Sequence, residues 1–185
     1  MKQQKLELRV SLFGKHPSTS EYLYLGEHSA FVHSISQWIR DGYEAFLKSR
    51  LVYDEGRVYN FYFFNNISNS FVCGSMKLSQ DSKGRFYPLL IFVEIPSSLS
   101  LQLNSLVVKL NQIWQKISNV FNKKLTLEEL KQSIDTLNKL DNVVCHTSLE
   151  SVEKGVLGAF FSEDFSQKKL FYETVNIDDF INLMR

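Results

Sequence analysis

Apolar side chains follow two different periods along the chain. Residues 6–13 alternate apolar and polar, which is the period of a half-buried strand. Residues 29 to about 48 and 99 to 121 instead place apolar side chains three and four positions apart, which predicts two amphipathic helices. The predicted buried side chains of the first helix are Phe31, Ile35, Trp38, Ile39, Phe46 and Leu47.

The stretch between these helices predicts three strands. Residues 59–64 are rich in aromatic side chains, and we expect residues 71–78 to be the partner strand in a hairpin. Residues 86–93 are almost continuously apolar, as in a strand that is covered on both faces. Pro88 has no N–H for a strand ladder, so we expect this strand to start at Leu89 or to carry a bulge there.

The last third of the chain predicts a helix, two strands and a final helix. Residues 126–129, Thr-Leu-Glu-Glu, fit a capping box ahead of an apolar stripe. Residues 155–161 and 168–172 read as strands, and residues 177–184 as a short helix. The order β-α-β-β-β-α-α-β-β-α predicts an α+β fold, a layered α/β/α domain around a largely antiparallel sheet. We expect residues 1–185 to form this single domain.

Composition and charge exclude several classes of protein. A hydrophobic fraction of 44% in 185 residues is enough for one sizeable core. The 21 basic residues against 20 acidic ones give no general field for nucleic acid. The chain has no apolar run of about 18 residues for membrane insertion, and residues 1–10 do not resemble a secretory signal. We therefore expect a cytoplasmic protein.

The sequence contains no recognisable catalytic or cofactor motif. Neither a phosphate loop, a dinucleotide fingerprint nor a Gly-x-Ser-x-Gly elbow occurs, and the four histidines are dispersed. Cys73 and Cys145 lack the paired spacing of a zinc site, so we expect both to be reduced and buried. The prediction is a protein with no cofactor, no metal and no enzymatic activity.

The polar segment at residues 79–88 carries the most distinctive chemistry. Asp81 and Gly84 are suited to a tight turn, because aspartate accepts backbone hydrogen bonds and glycine adopts positive φ. Arg85 would then pair with a carboxylate such as Asp81 or Glu21. Two interpretations stay open: the arginine only braces a loop, or the loop is a docking surface.

The order of several motifs resembles one protein family. The segment Ser79-x-Asp81-x-x-Gly84-Arg85-x-Tyr87-Pro88-Leu89 is similar to the signature of the TagF family of type VI secretion-associated proteins, also called ImpM. Gly14-Lys15-His16-Pro17 resembles the Gly-Lys-x-Pro that opens the family. Ser20-Glu21-Tyr22 stands in place of its Gly-Asp-Phe-like element. The resemblance covers about residues 10–96, and includes Phe31, Trp38, Gly42, Gly74 and Tyr59-Asn60-Phe61.

This resemblance implies a regulatory function. Such proteins hold type VI secretion inactive after translation, by binding the forkhead-associated-domain component of the system. In that interpretation we expect Lys15, Glu21, Asp81 and Arg85 to form one polar patch beside the sheet. The full set of partner-binding or motif residues that the resemblance implies is Lys15, Pro17, Glu21, Ser79, Asp81, Gly84, Arg85 and Tyr87.

Two other functions remain open from the sequence alone. One is a structural adaptor resembling longin or profilin-like folds, which would recruit a partner through apolar helix faces or a free strand edge. The other is a hydrolase whose residues meet only in the fold, with His16, Glu21 and Asp81 around a pocket.

Overall fold

The computed structural model describes residues 9–26, 30–49, 56–65, 70–96, 103–138, 158–162, 168–171 and 177–184. Predictions for Cys145 and for residues 6–8, 29, 99–102, 155–157 and 172 lie outside this part of the chain. Within it the elements are β1 (Arg9–Gly14), β2 (Leu23–Leu25), α1 (Ala30–Lys48), β3 (Val58–Asn65), β4 (Ser70–Gln80), β5 (Phe86–Pro96), α2 (Leu103–Phe121), α3 (Leu127–Asn138), β6 (Gly158–Ser162), β7 (Lys168–Phe171) and α4 (Ile177–Met184).

The predicted α+β fold with an antiparallel sheet is confirmed. The described strands form one seven-stranded sheet in the order β2-β1-β5-β4-β3-β6-β7. Each neighbouring pair is antiparallel. Its centre is the hairpin of β4 and β5, in which the register runs from Ser70 opposite Pro96 to Gln80 opposite Phe86. The turn at residues 81–85 therefore lies at one end of the two longest strands.

Helices cover both faces of the sheet, as a layered α/β/α domain requires. Successive strand residues point to opposite faces, and Ile91 and Phe92 of β5 accordingly belong to two separate apolar clusters. The Ile91 cluster includes Trp114 of α2 and residues of α3. The Phe92 cluster includes Ile39 of α1 and Phe180 of α4, and all three of these side chains are fully buried.

The sequence did not predict β2, which contains only three residues. Leu23, Tyr24 and Leu25 are all half-buried, so their burial does not alternate. Their pairing with β1 comes from the chain turning back after residue 22, with Gly14 opposite Leu23. A strand this short has too few positions for a period of two to be recognised.

The expected irregularity at Pro88 is wrong. β5 starts at Phe86 and pairs without a bulge, with Pro88 opposite Leu78. Asp81 N–H donates to Arg85 C=O at 3.0 Å, and hydrogen-bonded pairs alternate along an antiparallel ladder. Pro88 and Leu78 thus form a non-hydrogen-bonded pair. The missing N–H faces β1, whose pairing with β5 already ends at Leu90.

Two helix details test the periodicity. Thr126 and Glu129 form the predicted capping box at α3, since Thr126 N–H donates to Glu129 Oε2 at 2.8 Å and Glu129 N–H donates to Thr126 Oγ1 at 3.3 Å. In α1, Ile39 and Phe46 are buried, but Leu47 is 53% exposed and its predicted burial is wrong. Leu47 is one residue past Phe46, which rotates it about 100° away from the buried stripe.

Candidate functional site

The β4–β5 turn has the geometry of a three-residue hairpin loop. Gly84 N–H donates to Asp81 C=O, and Asp81 N–H donates to Arg85 C=O, both at 3.0 Å. Gly84 has a φ of 76°, the left-handed conformation that closes this type of loop. Residues 82–84 therefore form the tip, and Asp81 and Arg85 face each other at its base.

The Asp81 carboxylate is the centre of a hydrogen-bonded cluster. Oδ1 accepts the N–H groups of Lys83 and Arg85, both at 2.9 Å. Oδ2 accepts Arg85 Nε at 2.8 Å and Lys15 Nζ at 3.1 Å. The Asp81 side chain is fully buried, whereas that of Arg85 is 53% exposed. We name Lys15, Asp81 and Arg85 the Asp81 cluster.

Contacts of the β1–β2 loop bring Lys15 to this turn. Gly14 has a φ of 131° and lies against the backbone of Pro88, so the loop leaves β1 close beside β5. Ser82 N–H donates to Thr19 C=O at 3.0 Å. Arg85 Nη2 donates to the carbonyl oxygen of Ser20. These two bonds join the loops to each other, one through the backbone of the turn and one through the Arg85 guanidinium.

The cluster keeps Asp81 ionised. Burial alone would raise the pKa of this carboxyl, but the hydrogen bonds from the Arg85 N–H, the Lys15 ammonium and the Lys83 N–H outweigh it and hold the pKa well below its ordinary value. Two cations thus surround one anion. The exposed part of the cluster is the positively charged guanidinium of Arg85.

The depressed pKa of Asp81 predicts a stability loss in acid. A carboxyl with a folded pKa below its unfolded value of about 3.9 stabilises the fold above that value. This contribution is lost as pH falls towards the folded pKa. We therefore expect Asp81→Asn to destabilise the protein clearly at pH 7. The gap between variant and wild type should narrow below about pH 5, as measured by urea unfolding across pH. A gap that stays constant to pH 3 would contradict this.

An exposed aromatic ring adjoins the cluster. Tyr22 is 57% exposed, and Lys15 Nζ lies 5.3 Å from its ring centroid. The ring packs edge-on against Tyr87 at 4.8 Å between centroids. Tyr87 in turn contacts Tyr43 of α1 at 5.3 Å and is 5% exposed. Its burial raises its pKa far above the ordinary value, so its hydroxyl stays neutral. The buried ring of Tyr87 therefore holds the exposed ring of Tyr22 in place at the surface.

The structure brings some of the predicted site residues together and leaves others apart. Lys15, Asp81, Gly84, Arg85 and Tyr87 lie in or beside the cluster. Glu21 does not join it: among the described side chains its carboxylate accepts a hydrogen bond from Ser20 Oγ at 3.3 Å and none from Arg85. Pro17 and Ser79 lie elsewhere, in the lining of a groove on the α2–α3 face. The sequence missed the exposure of Tyr22 and the contact of Arg85 with a backbone carbonyl.

Two of the residues considered for a hydrolase, His16 and Asp81, share no hydrogen bond with each other in the described part of the chain. His16 Nδ1 is 2.7 Å from Ser18 Oγ, and Asp81 already accepts four hydrogen bonds from Lys15, Lys83 and Arg85. An ionised carboxylate with a strongly depressed pKa is a poor proton carrier near neutral pH. Within the described ranges, no three histidine, cysteine or acidic side chains are grouped as metal ligands. Cys73 is buried and not in a disulfide.

Comparison with known proteins identifies the family. Residues 11–140 match the family model described as TagF N-terminal domain, type VI secretion system-associated. The chain therefore belongs to this family of type VI secretion-associated proteins, as its motifs predicted. No curated protein sequence matches it. The crystal structure of PA0076 from Pseudomonas aeruginosa PAO1 is similar in fold, with a TM-score of 0.67 and 15% identity over 95% of this chain and 93% of that one.

The family match ends before the last strands of the sheet. β6, β7 and α4 follow residue 140, and β6 pairs with β3 inside the same sheet.

None of the described helices is long and apolar enough to span a membrane.

Proposed function

We propose that this protein is a non-enzymatic, cytoplasmic repressor of type VI secretion. It acts after translation by binding the forkhead-associated-domain component of the system. Membership of the family supports the process. The observation that carries the binding role is the Asp81 cluster, in which a half-exposed arginine is fixed by a buried carboxylate and by the second loop.

A fixed arginine next to an exposed tyrosine suits protein recognition. Arginine and tyrosine are enriched among the residues that dominate binding energy at protein interfaces. Side chains that are already ordered lose little conformational entropy on binding. Arg85 and Tyr22 meet both conditions, because hydrogen bonds fix the guanidinium and Tyr87 supports the ring. The buried Asp81 and Lys15 position these two residues and do not themselves face a partner.

Capture of the partner tests this proposal. We expect Arg85→Glu and Tyr22→Ala each to weaken binding to the forkhead-associated-domain component by about 30-fold, which corresponds to about 2 kcal/mol at a dominant interface residue. Isothermal titration calorimetry with the purified pair measures the affinity. Lys131→Glu is the matched control, because Lys131 is a half-exposed cation on α3 paired only with Glu128 among the described residues. Its affinity should stay within about twofold, since exposed charges contribute little.

A folded state must be shown for each variant. Circular dichroism should match wild type for each variant. The urea midpoint of Arg85→Glu should fall, because the variant loses the bonds from Arg85 to Asp81 and to the Ser20 carbonyl, so affinity is measured in the absence of denaturant. Charge reversal at Asp81 is unsuitable, since that carboxylate is buried at the centre of the cluster. Unchanged affinity in folded Arg85→Glu and Tyr22→Ala would reduce the cluster to a brace for the loop. In cells whose wild-type copy is replaced by Arg85→Glu or Tyr22→Ala, loss of partner binding should release type VI secretion from repression.

A further inference from the structure

A groove of about 940 Å³ opens on the α2–α3 face of the sheet, away from Tyr22. One wall is the β1–β2 loop at residues 16–18, and the other is the connection from α2 to α3 at residues 122–126. Ser79, Leu89 and Ile91 of β4 and β5 form the floor. A groove between a loop and a helix connection has the concave shape that accepts an inserted side chain.

The lining of this groove is positively charged. Lys77, Lys123 and Lys124 line it, and none of its described lining residues is acidic. Lys77 Nζ donates to Phe121 C=O at 2.6 Å, which places a cation at the C-terminal end of α2. His16 is held neutral here, because burial and then the nearby Lys77 lower its pKa. Since the whole chain carries a formal charge of only +1, the charge of this surface is local.

Apolar side chains lie between the lysines. Val120, Leu125 and Leu127 line the groove and are each half-buried, so part of their apolar surface faces the groove. Lys123 and Lys124 are exposed at the rim. The groove thus combines an apolar interior with a cationic edge, and its complement has apolar side chains flanked by acidic ones.

We propose that this groove binds an acidic peptide segment of a partner protein, with its apolar side chains inserted between the β1–β2 loop and the α2–α3 connection. The surface is distinct from the exposed Arg85 and Tyr22 of the proposed repressor site. A bilayer is a poorer complement, because the apolar residues lie inside a concave groove and not on a protruding face.

A synthetic peptide tests the chemistry directly. The probe is a fluorescein-labelled peptide of about twelve residues with the repeat Asp-Asp-Leu, which in an extended conformation measures about 3.3 Å per residue. Fluorescence anisotropy against the full chain gives the affinity. We expect the doubly substituted variant Lys123→Glu/Lys124→Glu to bind at least about tenfold more weakly, a change of about 1.4 kcal/mol. Peptides with serine for leucine, or lysine for aspartate, should lose binding similarly.

Matched controls separate this groove from general charge attraction. Lys131→Glu and Arg85→Glu each reverse one charge outside the groove, on α3 and at the Asp81 cluster, and the two combined match the change of four charge units in Lys123→Glu/Lys124→Glu. The single variants and their combination should keep peptide affinity within about twofold. In ¹⁵N–¹H spectra the peptide should shift the amide signals of residues 120–127. Since Arg85→Glu tests the other surface, failure here and failure of the repressor site are distinguishable.

Four results would overturn the proposal. If Lys131→Glu weakened peptide binding as much as Lys123→Glu/Lys124→Glu does, the attraction would be one of general charge. If the peptide with serine for leucine bound as tightly as the Asp-Asp-Leu peptide, insertion of apolar side chains would be excluded. Unchanged affinity in the Lys123→Glu/Lys124→Glu variant would place the peptide elsewhere. Competition by phosphatidylglycerol vesicles, which also bind the chain in the absence of peptide, would identify a lipid surface instead.

Discussion

Phe180→Ala is expected to lower the free energy of unfolding by about 3–5 kcal/mol, the usual cost of removing a buried phenylalanine ring. Phe180 is fully buried in the cluster on the α1 face. Its ring contacts Trp38 edge-on at 5.3 Å between centroids. Because Phe180 is the one buried residue among residues 178–182 of α4, whose burial the structure describes, its removal should also detach α4 from α1. Urea unfolding followed by tryptophan fluorescence measures both effects.

Gly42 provides a second test of the same contact. A Cβ at Gly42 would lie 2.5 Å from Phe180 Cγ. Gly→Ala inside a helix normally stabilises by about 0.5–1 kcal/mol, but here overlap with the ring should destabilise by about 1–3 kcal/mol. In the Phe180→Ala background the sign should reverse, since the ring is gone. Additive effects in the double variant would contradict the contact. Leu47→Ala, exposed on the same helix, should stay within about 0.5 kcal/mol.

The fold followed from the sequence wherever the apolar period was long enough. α1, α2 and α3 each have several turns of regular spacing, and the hairpin of β4 and β5 has eleven residues on each side. β2 escaped prediction because three half-buried residues show no period. Leu47 is exposed although it is apolar. It lies one residue past the buried Phe46, and the rotation of the helix carries it off the buried stripe. The irregularity expected at Pro88 is not found, because its missing N–H faces β1 and not β4. That direction depends on the strand register, which the sequence does not give.

Local turn chemistry predicted part of the candidate site. The contact between Asp81 and Arg85 spans four residues, so aspartate, glycine and arginine at these positions were enough to expect it. The position of Lys15 depends on two loops meeting across a sequence separation of more than sixty residues, and only the family resemblance suggested it. Glu21 and Tyr22 are neighbours in sequence, yet the ring adjoins the cluster and the carboxylate does not. Loop conformation decides such a choice, and no periodicity encodes it.

Gly14 links the sheet to the site. Lys15 reaches Asp81 only because the chain passes close to the backbone of β5 immediately before it. A Cβ at Gly14 would overlap the carbonyl oxygen of Pro88 and lie 2.8 Å from Leu89 Cα. Both of these neighbouring atoms belong to the backbone, so neither can move aside by a change of side-chain rotamer. Any displacement must therefore carry the β1–β2 loop, and with it Lys15 and the Ser20 carbonyl, away from the β4–β5 turn.

Gly14→Ala should consequently cost about 2–6 kcal/mol, from about 1–3 kcal/mol of backbone strain and about 1–3 kcal/mol of overlap. Gly84→Ala is the matched control. Gly84 also has a positive φ, of 76°, but nothing lies within 4 Å of its Cβ position, so only about 1–2 kcal/mol is expected. Urea unfolding gives both values, and partner capture should weaken more for Gly14→Ala because the loop bracing Arg85 is displaced. Equal costs for the two variants would show that the close approach to β5 does not hold the loops together.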